Sequence, residues 1–216
     1  EKQISILGCG WLGLELAKSL ICENYQIKGS TTASSKLDLL EKNHIKSYLI
    51  HLNEGFNSGT FIDFLTNSET LIVCIPPRNS DKKTHSQWIA DLVPMIENSG
   101  LKHVIYTSSI GVYEDVPEVV FENTVINPTT SSGKELMLAE SILLKSRKFK
   151  TTILRLGGLV GENRHPIFSM QGKTNVAKPK AGINLVHRLD IIEIFKLLLS
   201  HSNLEGIYNI VYPTHP

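Results

Sequence analysis

The sequence predicts an α/β protein built on a doubly wound parallel sheet. Three observations lead there. Apolar runs of strand length alternate with amphipathic stretches of helix length, the pattern of parallel strands joined by crossover helices. The first of these runs opens directly onto Gly8-Cys9-Gly10-Trp11-Leu12-Gly13, a glycine-rich turn between a strand and a helix. The composition, 216 residues with 41% hydrophobic and 20% charged, belongs to a globular chain able to bury one sizeable core.

Taken in order, Ile4 to Leu7 is a short strand that stops at Gly8. Leu12, Leu16 and Leu20 then fall at i, i+4 and i+8, one buried stripe of a helix. Tyr25 to Gly29 reads as the second strand, Leu37 to Lys42 as a short helix and Ser47 to Leu52 as the third strand. Phe61 to Leu65 is a weaker helix. Thr70 to Ile75 is a β-branched strand ended by Pro76-Pro77, which cannot continue a ladder. A helix from about Thr84 to Asn98 carries Trp88, Leu92 and Ile96 on one side, and Pro94 should kink or shorten it. His103 to Thr107 is a strand, Gly133 to Ser146 a helix and Lys150 to Leu156 a strand. Residues 157–182 are rich in Gly, Pro, Asn and Lys without a period, as in a loop-rich lobe outside the sheet. His187 to Ser200 is an apolar helix (Leu189, Ile192, Phe195, Leu199), and Gly206 to Val211 a last strand. Residues 1–156 thus form the main domain. Residues 157–216 form a small lobe, from which helix 187–200 and strand 206–211 return to the sheet.

Composition also removes several classes of function. With 22 basic and 21 acidic residues, no bulk charge favours nucleic acid or an anionic membrane. Cys9, Cys22 and Cys74 are odd in number and lack CxxC spacing, which argues against a disulfide framework and a zinc site. Cys9 lies in the glycine turn and Cys74 in a strand, so neither is poised as a nucleophile. No His/Asp/Glu cluster has metal-ligand spacing. No apolar run reaches the ~18 residues of a membrane span. The chain enters a strand at once, without a signal peptide, and a cytoplasmic protein is the expectation.

The Gly8–Gly13 turn is G-x-G-x-x-G in the context that gives the motif meaning, after a strand and opening a helix. Gly8 permits the tight turn, Gly10 lets a pyrophosphate approach the backbone and Gly13 packs helix on strand. Free N–H groups and the positive helix end, with Trp11 and Leu12 in the first turn, remain for phosphates. Trp11 would shield the dinucleotide or pack under it. A binder of NAD has Asp or Glu about 20 residues on, for the ribose 2′-hydroxyl. Here the second strand leads into Lys28-Gly29-Ser30-Thr31-Thr32-Ala33-Ser34-Ser35-Lys36, with no acid until Asp38. Thr31, Thr32 and Lys36 suit a 2′-phosphate, which favours NADP over NAD. The alternative is that these hydroxyls cap the next helix.

Further motifs stand at successive strand ends: Ile75-Pro76-Pro77-Arg78, Tyr106-Thr107-Ser108-Ser109-Ile110-Gly111-Val112-Tyr113, and Leu154-Arg155-Leu156-Gly157-Gly158-Leu159-Val160-Gly161. Asn184 to Asp190 and Gly206 to Val211 follow. In this order the chain resembles the NAD(P)-dependent epimerase/dehydratase group, the extended and atypical short-chain dehydrogenase/reductases. The resemblance covers nearly the whole chain and implies a Rossmann sheet of about seven strands with a smaller substrate lobe. It implies that Pro76 lies along the middle of the dinucleotide and that Ser109 is the active-site serine. The dull reading of Ser108 and Ser109 is that they end a strand. The resemblance also implies that Arg164, after Gly161-Glu162-Asn163, meets a phosphate or nucleotide group of the substrate, with Arg155 and Arg188 bracketing the same side. A solvated loop arginine is the alternative for Arg164. Relatives often dimerise through helices near 85–98 and 133–146.

The family's proton chemistry rests on a Tyr-x-x-x-Lys pair. Aligning Gly133-Lys134-Glu135-Leu136-Met137-Leu138-Ala139-Glu140 with the matching family segment puts Ser132 at the tyrosine position and Leu136 at the lysine position. A serine hydroxyl is a poor acid-base at neutral pH. The short G-x-G-x-x-G, in place of the extended group's G-x-x-G-x-x-G, also points to an atypical member. Tyr106 reads as core, and Tyr113, the other candidate acid, is a structural tyrosine in relatives. Two functions are compatible with these residues. One is a reductase or epimerase of a small or nucleotide-linked substrate that works without the Tyr–Lys pair. The other is a non-catalytic NADP-binding redox sensor or regulatory protein.

Overall fold

Seven parallel strands build the central sheet in the order β3-β2-β1-β4-β5-β6-β9. They are β1 (Gln3–Leu7), β2 (Gln26–Thr31), β3 (Lys46–Leu49), β4 (Thr70–Val73), β5 (His103–Ser109), β6 (Lys150–Leu156) and, after two short strands outside the sheet, β9 (Gly206–Ile210). The computed structural model describes residues 2–53, 55–77, 83–114, 118–174, 182–201 and 203–213. Arg78, part of one strand-end motif, lies outside them, as do residues 175–181 of the lobe.

Register is set by apolar residues that stay buried on both faces, as parallel sheets require. Ile4 pairs with Ile27 on one side and Thr70 on the other, and Ile6 stands beside Ile72. Strand order reverses between β1 and β4, so the crevice beyond their carboxyl ends is the natural place for a ligand.

Helices α1 (Trp11–Ile21), α2 (Leu37–Lys42), α3 (Ser58–Leu65), α4 (His85–Asn98), α5 (Ser131–Lys145), α6 (Pro166–Met170) and α7 (Arg188–Ser200) complete the chain. They make two cores, one on each face of the sheet. Leu12, Leu16 and Leu20 of α1 pack with Leu40 of α2 and Ile191, Ile192 and Phe195 of α7. Phe61 and Phe64 of α3 join Ile89, Leu92 and Ile96 of α4 and Leu136, Ala139 and Leu143 of α5 on the other face. No helix among the described residues is long and apolar enough to cross a membrane.

Two expectations are corrected. Helix α4 runs through Pro94 to Asn98, so the proline does not shorten it. Pro94 is on its exposed side, as is Ala90, so water can satisfy the carbonyl that loses its partner. The region read as loop contains α6 and strand β7 (Gly158–Val160), which pairs in parallel with β8 (Leu185–His187) as a separate ribbon. Three-residue strands are too short to show a period. Leu189, named among the apolar residues of this helix, is 61% exposed, and Ile191, Ile192, Phe195 and Leu198 are the buried ones.

Candidate functional site

The glycine turn is fixed from below. Gly8 has φ +101°, and a Cβ there would come within 2.9 Å of the Ile75 side chain, so backbone and space both demand glycine. Its N–H donates to Ser30 Oγ (2.9 Å) and that of Cys9 to the Ser30 carbonyl (2.7 Å), tying the turn to β2. At Gly13 a Cβ would lie 2.2 Å from the Gly8 carbonyl oxygen, the close packing of helix on strand that the motif provides. Around the Cβ position of Gly10 there is open space. Gly10 caps α1 without a side chain, so the orphan N–H groups and positive end of the helix are offered at the turn.

A cavity of about 330 Å³ opens here. Gly8 and Gly10 form one wall, Ser30, Thr31, Thr32 and Lys36 the second, and Cys74, Ile75 and Pro76 the third. Ile50, Leu52, His85 and Trp88 close the rest, and none of the lining residues is acidic. Six sequence-derived cofactor residues therefore meet around one space: Gly8, Gly10, Thr31, Thr32, Lys36 and Pro76. Leu12 and Gly13 are buried under the turn. Thr31 Oγ1 also accepts the Ala33 N–H (3.1 Å), but neither the short turn at Ser34–Lys36 nor α2 has a side-chain cap, so these hydroxyls do not cap the next helix as the alternative had it. A larger groove of 690 Å³, edged by Lys2, Lys102, Arg147, Lys148 and Lys150, lies at the amino ends of the strands, away from the switch point.

Trp11 is not among the residues that line this cavity. Its ring carries the guanidinium groups of Arg164 and Arg188 at 5.1 and 4.4 Å. Its indole N–H donates to the Glu162 carbonyl (3.2 Å), and Arg188 donates to its carbonyl (3.3 Å) and pairs with Glu162 (3.6 Å). Arg164 and Arg188, both expected at the substrate, thus form a clamp between α1 and the 158–164 segment. Arg155, expected on the same side, is instead 2% exposed in the core.

Ser109 ends β5 half-buried, its Oγ accepting the Gly111 N–H (3.0 Å), and does not line the cavity. Ser132 is exposed in the first turn of α5, whereas Leu136 is 5% exposed and packs in the core. Behind Ser109 lies a buried polar chain. Ser108 donates to Glu140, and Arg155 holds the Glu140 carboxylate at 2.8 Å. Arg155 also donates to Tyr113 OH (2.7 Å), and Tyr113 donates to Asn209 Oδ1 (2.8 Å), which joins α5, β6 and β9.

Sequence reasoning missed His85 and Trp88. The Thr84-x-x-Gln87 capping box marks the start of α4 and so brings His85 to the carboxyl end of the sheet. His85 Nε2 is 2.7 Å from Tyr106 OH. Burial lowers the His85 pKa to about 4, against the pull of the Glu135 carboxylate. Burial raises that of Tyr106, and the charges of Glu140 and Glu135 add to it. Glu135 Oε2 accepts the Ser86 N–H (2.8 Å); burial would raise its pKa, but the bonds from Ser86 outweigh it. Burial pushes the Cys9 thiol up to about 12 and raises Cys74 as well, so neither is a ready thiolate.

No protein-family model matches the chain. It is 36% identical over 218 residues to Protein YeeZ of Escherichia coli strain K12, covering all of this chain and 79% of YeeZ. Its fold matches that of a functionally unknown conserved protein from Silicibacter pomeroyi, with TM-score 0.80 and 20% identity over 100% of this chain and 74% of the other. It also matches UDP-glucose 4-epimerase of Thermus thermophilus, solved in complex with NAD, with TM-score 0.80 and 17% identity over 99% and 79% of the two chains.

Proposed function

The chain belongs to the family of Escherichia coli YeeZ and has the Rossmann fold of the NAD-dependent epimerases and short-chain dehydrogenases, and from that premise we propose that it binds a nicotinamide dinucleotide, NADP in preference to NAD. One observation carries the reading. The cavity joins the open face of Gly10 and the uncapped end of α1 to two threonines and Lys36, with no carboxylate in its walls. The first-turn N–H groups of α1 would hold the pyrophosphate, Thr31, Thr32 and Lys36 the adenosine ribose with its 2′-phosphate, and Pro76 the middle of the molecule. The bound group supplies the hydride acceptor or donor.

The chain's own residues restrict the proton chemistry. Tyr113 is engaged by Arg155 and Asn209, and Tyr106 by His85, so neither phenol is placed to exchange a proton with a substrate. Ser132 and Leu136 do not replace the Tyr–Lys pair. We assign the protein as an atypical short-chain dehydrogenase or epimerase in which Ser109 orients the oxygen of a small or nucleotide-linked substrate. The burial of Leu136 favours a second reading, an NADP-binding sensor without hydride transfer.

Calorimetric titration with NADPH and NADH, together with a panel of ketones, aldehydes and nucleotide sugars, tests both. Binding with slow turnover that Ser109→Ala abolishes supports the enzyme. Tight NADPH binding with no turnover supports the sensor, and binding of neither dinucleotide refutes both.

A further inference from the structure

The groove of 690 Å³ at the amino ends of the strands lies at the opposite end of the sheet from the glycine turn. Among the described residues its walls carry five Lys and Arg side chains against two Glu, an excess of three positive charges where the whole chain has an excess of one. All five cations are exposed. Lys148 pairs with Glu97 at 4.0 Å, whereas no carboxylate among the described residues pairs with Lys2, Lys102 or Arg147. The sheet sets their spacing. The Lys150 N–H donates to the Lys102 carbonyl (2.9 Å) and the Lys102 N–H to the Glu69 carbonyl (2.9 Å), so the starts of β4, β5 and β6 stand side by side. Helices α5 and α7 end against the groove, and each end carries about half a negative charge. Together they offset about one of the three positive charges, so neutralising helix ends does not account for the cluster. Burial lowers the pKa of His103 in the groove wall, and Lys150 adds to it against the pull of Glu205. Tyr25, Phe149 and Leu199 give the groove an apolar side, and low-dielectric walls of one sign focus their field on whatever enters.

We propose that this groove is a second ligand site, built for a chain of two or three phosphates, either free or carried by a nucleoside. Arg147 supplies a guanidinium fork and the lysines supply point charges, the two ways proteins hold phosphate oxygens. The volume falls within the roughly 300–1,000 Å³ of small-ligand sites, and cations gathered around a hollow suit a compact polyanion. The site stands independently of the dinucleotide reading.

Calorimetric titration with tripolyphosphate and with ATP, both without magnesium, tests it on three proteins. They are the wild type, Gly10→Val, and the double variant Lys102→Gln with Arg147→Gln. Both side chains of the double variant are exposed, and its urea midpoint checks that it folds. We expect tripolyphosphate binding to survive Gly10→Val, to weaken at least tenfold in the double variant and to weaken with added salt. ATP bound about as tightly as tripolyphosphate assigns recognition to the phosphates alone. ATP bound tenfold tighter assigns the apolar side to a base, and either result supports the site. A wild type that binds neither polyanion overturns the proposal. So does binding that Gly10→Val abolishes and the double variant keeps, which would give the phosphates to the glycine turn. A double variant that loses stability but no affinity also overturns it, and leaves the cations as neutralisers of helix ends.

Discussion

Gly10 and Gly13 stand in one turn and are glycine for opposite reasons. Nothing of the protein would meet a Cβ at Gly10, whose φ of −84° any residue accepts, so only a ligand needs that space. Gly10→Val should therefore leave the urea midpoint within about 0.5 kcal/mol of wild type while weakening NADP binding at least 100-fold by calorimetry. A Cβ at Gly13 would collide with backbone, which cannot swing aside. Gly13→Ala should cost on the order of 2 kcal/mol in the same unfolding assay, whatever happens to binding. Lys36 is exposed, so Lys36→Ala should spare stability, lower NADP affinity about tenfold and leave NAD affinity unchanged. Equal losses for the two dinucleotides would remove the 2′-phosphate from the assignment.

Between elements the decisive contact is the joint of α5 with β6. Glu140 and Arg155 are both almost fully buried, and each makes the other tolerable in a low dielectric. Arg155→Met should lose about 3–5 kcal/mol in urea unfolding, and adding Glu140→Leu should recover much of that, because an unpaired buried carboxylate is worse than no charge at all. Such joints escape a linear reading of the sequence. The alternation of strands and helices is legible because each run carries its own period, and the glycine turn because three fixed positions do three local jobs. Gly8, Gly10, Thr31, Thr32, Lys36 and Pro76 converge because doubly wound sheets gather successive strand ends at one crevice. Nothing in spacing, however, pairs residue 140 with 155 or turns the Trp11 ring toward Arg164 and Arg188. Those contacts are set by how separate elements dock. Trp88 illustrates the same limit. Its place on the buried face of α4 follows from period, but its address in a cavity wall follows from where α4 begins.

For the molecule as a whole, buried histidines link stability to pH. His85 has a pKa near 4 in the fold, with Glu135 and Tyr106 facing it, and His103 is also lowered, by burial and then by Lys150, against the pull of Glu205. The unfolded chain takes up these protons near pH 6.5 and the folded chain only at lower pH, so stability falls as pH drops below that value. For His85 alone the slope is about 1.4 kcal/mol per pH unit between about 6.5 and 4. Urea titrations at several pH values should show a shallower slope for His85→Gln, and parallel slopes would place the acid sensitivity elsewhere. Asp63, Glu41 and Glu135, held below the ordinary carboxylate range, lose their contributions lower still. The placement of the two tryptophans has a different use. Trp11 sits in the clamp on the glycine turn and Trp88 in the cavity wall, and the chain has no others. Reduced nicotinamide absorbs where indoles emit, so binding of the proposed dinucleotide should quench their emission and give an optical gauge of occupancy. In Trp88→Phe the remaining emission comes from Trp11 alone, and its colour reports whether the two guanidinium groups stay stacked when the turn is filled.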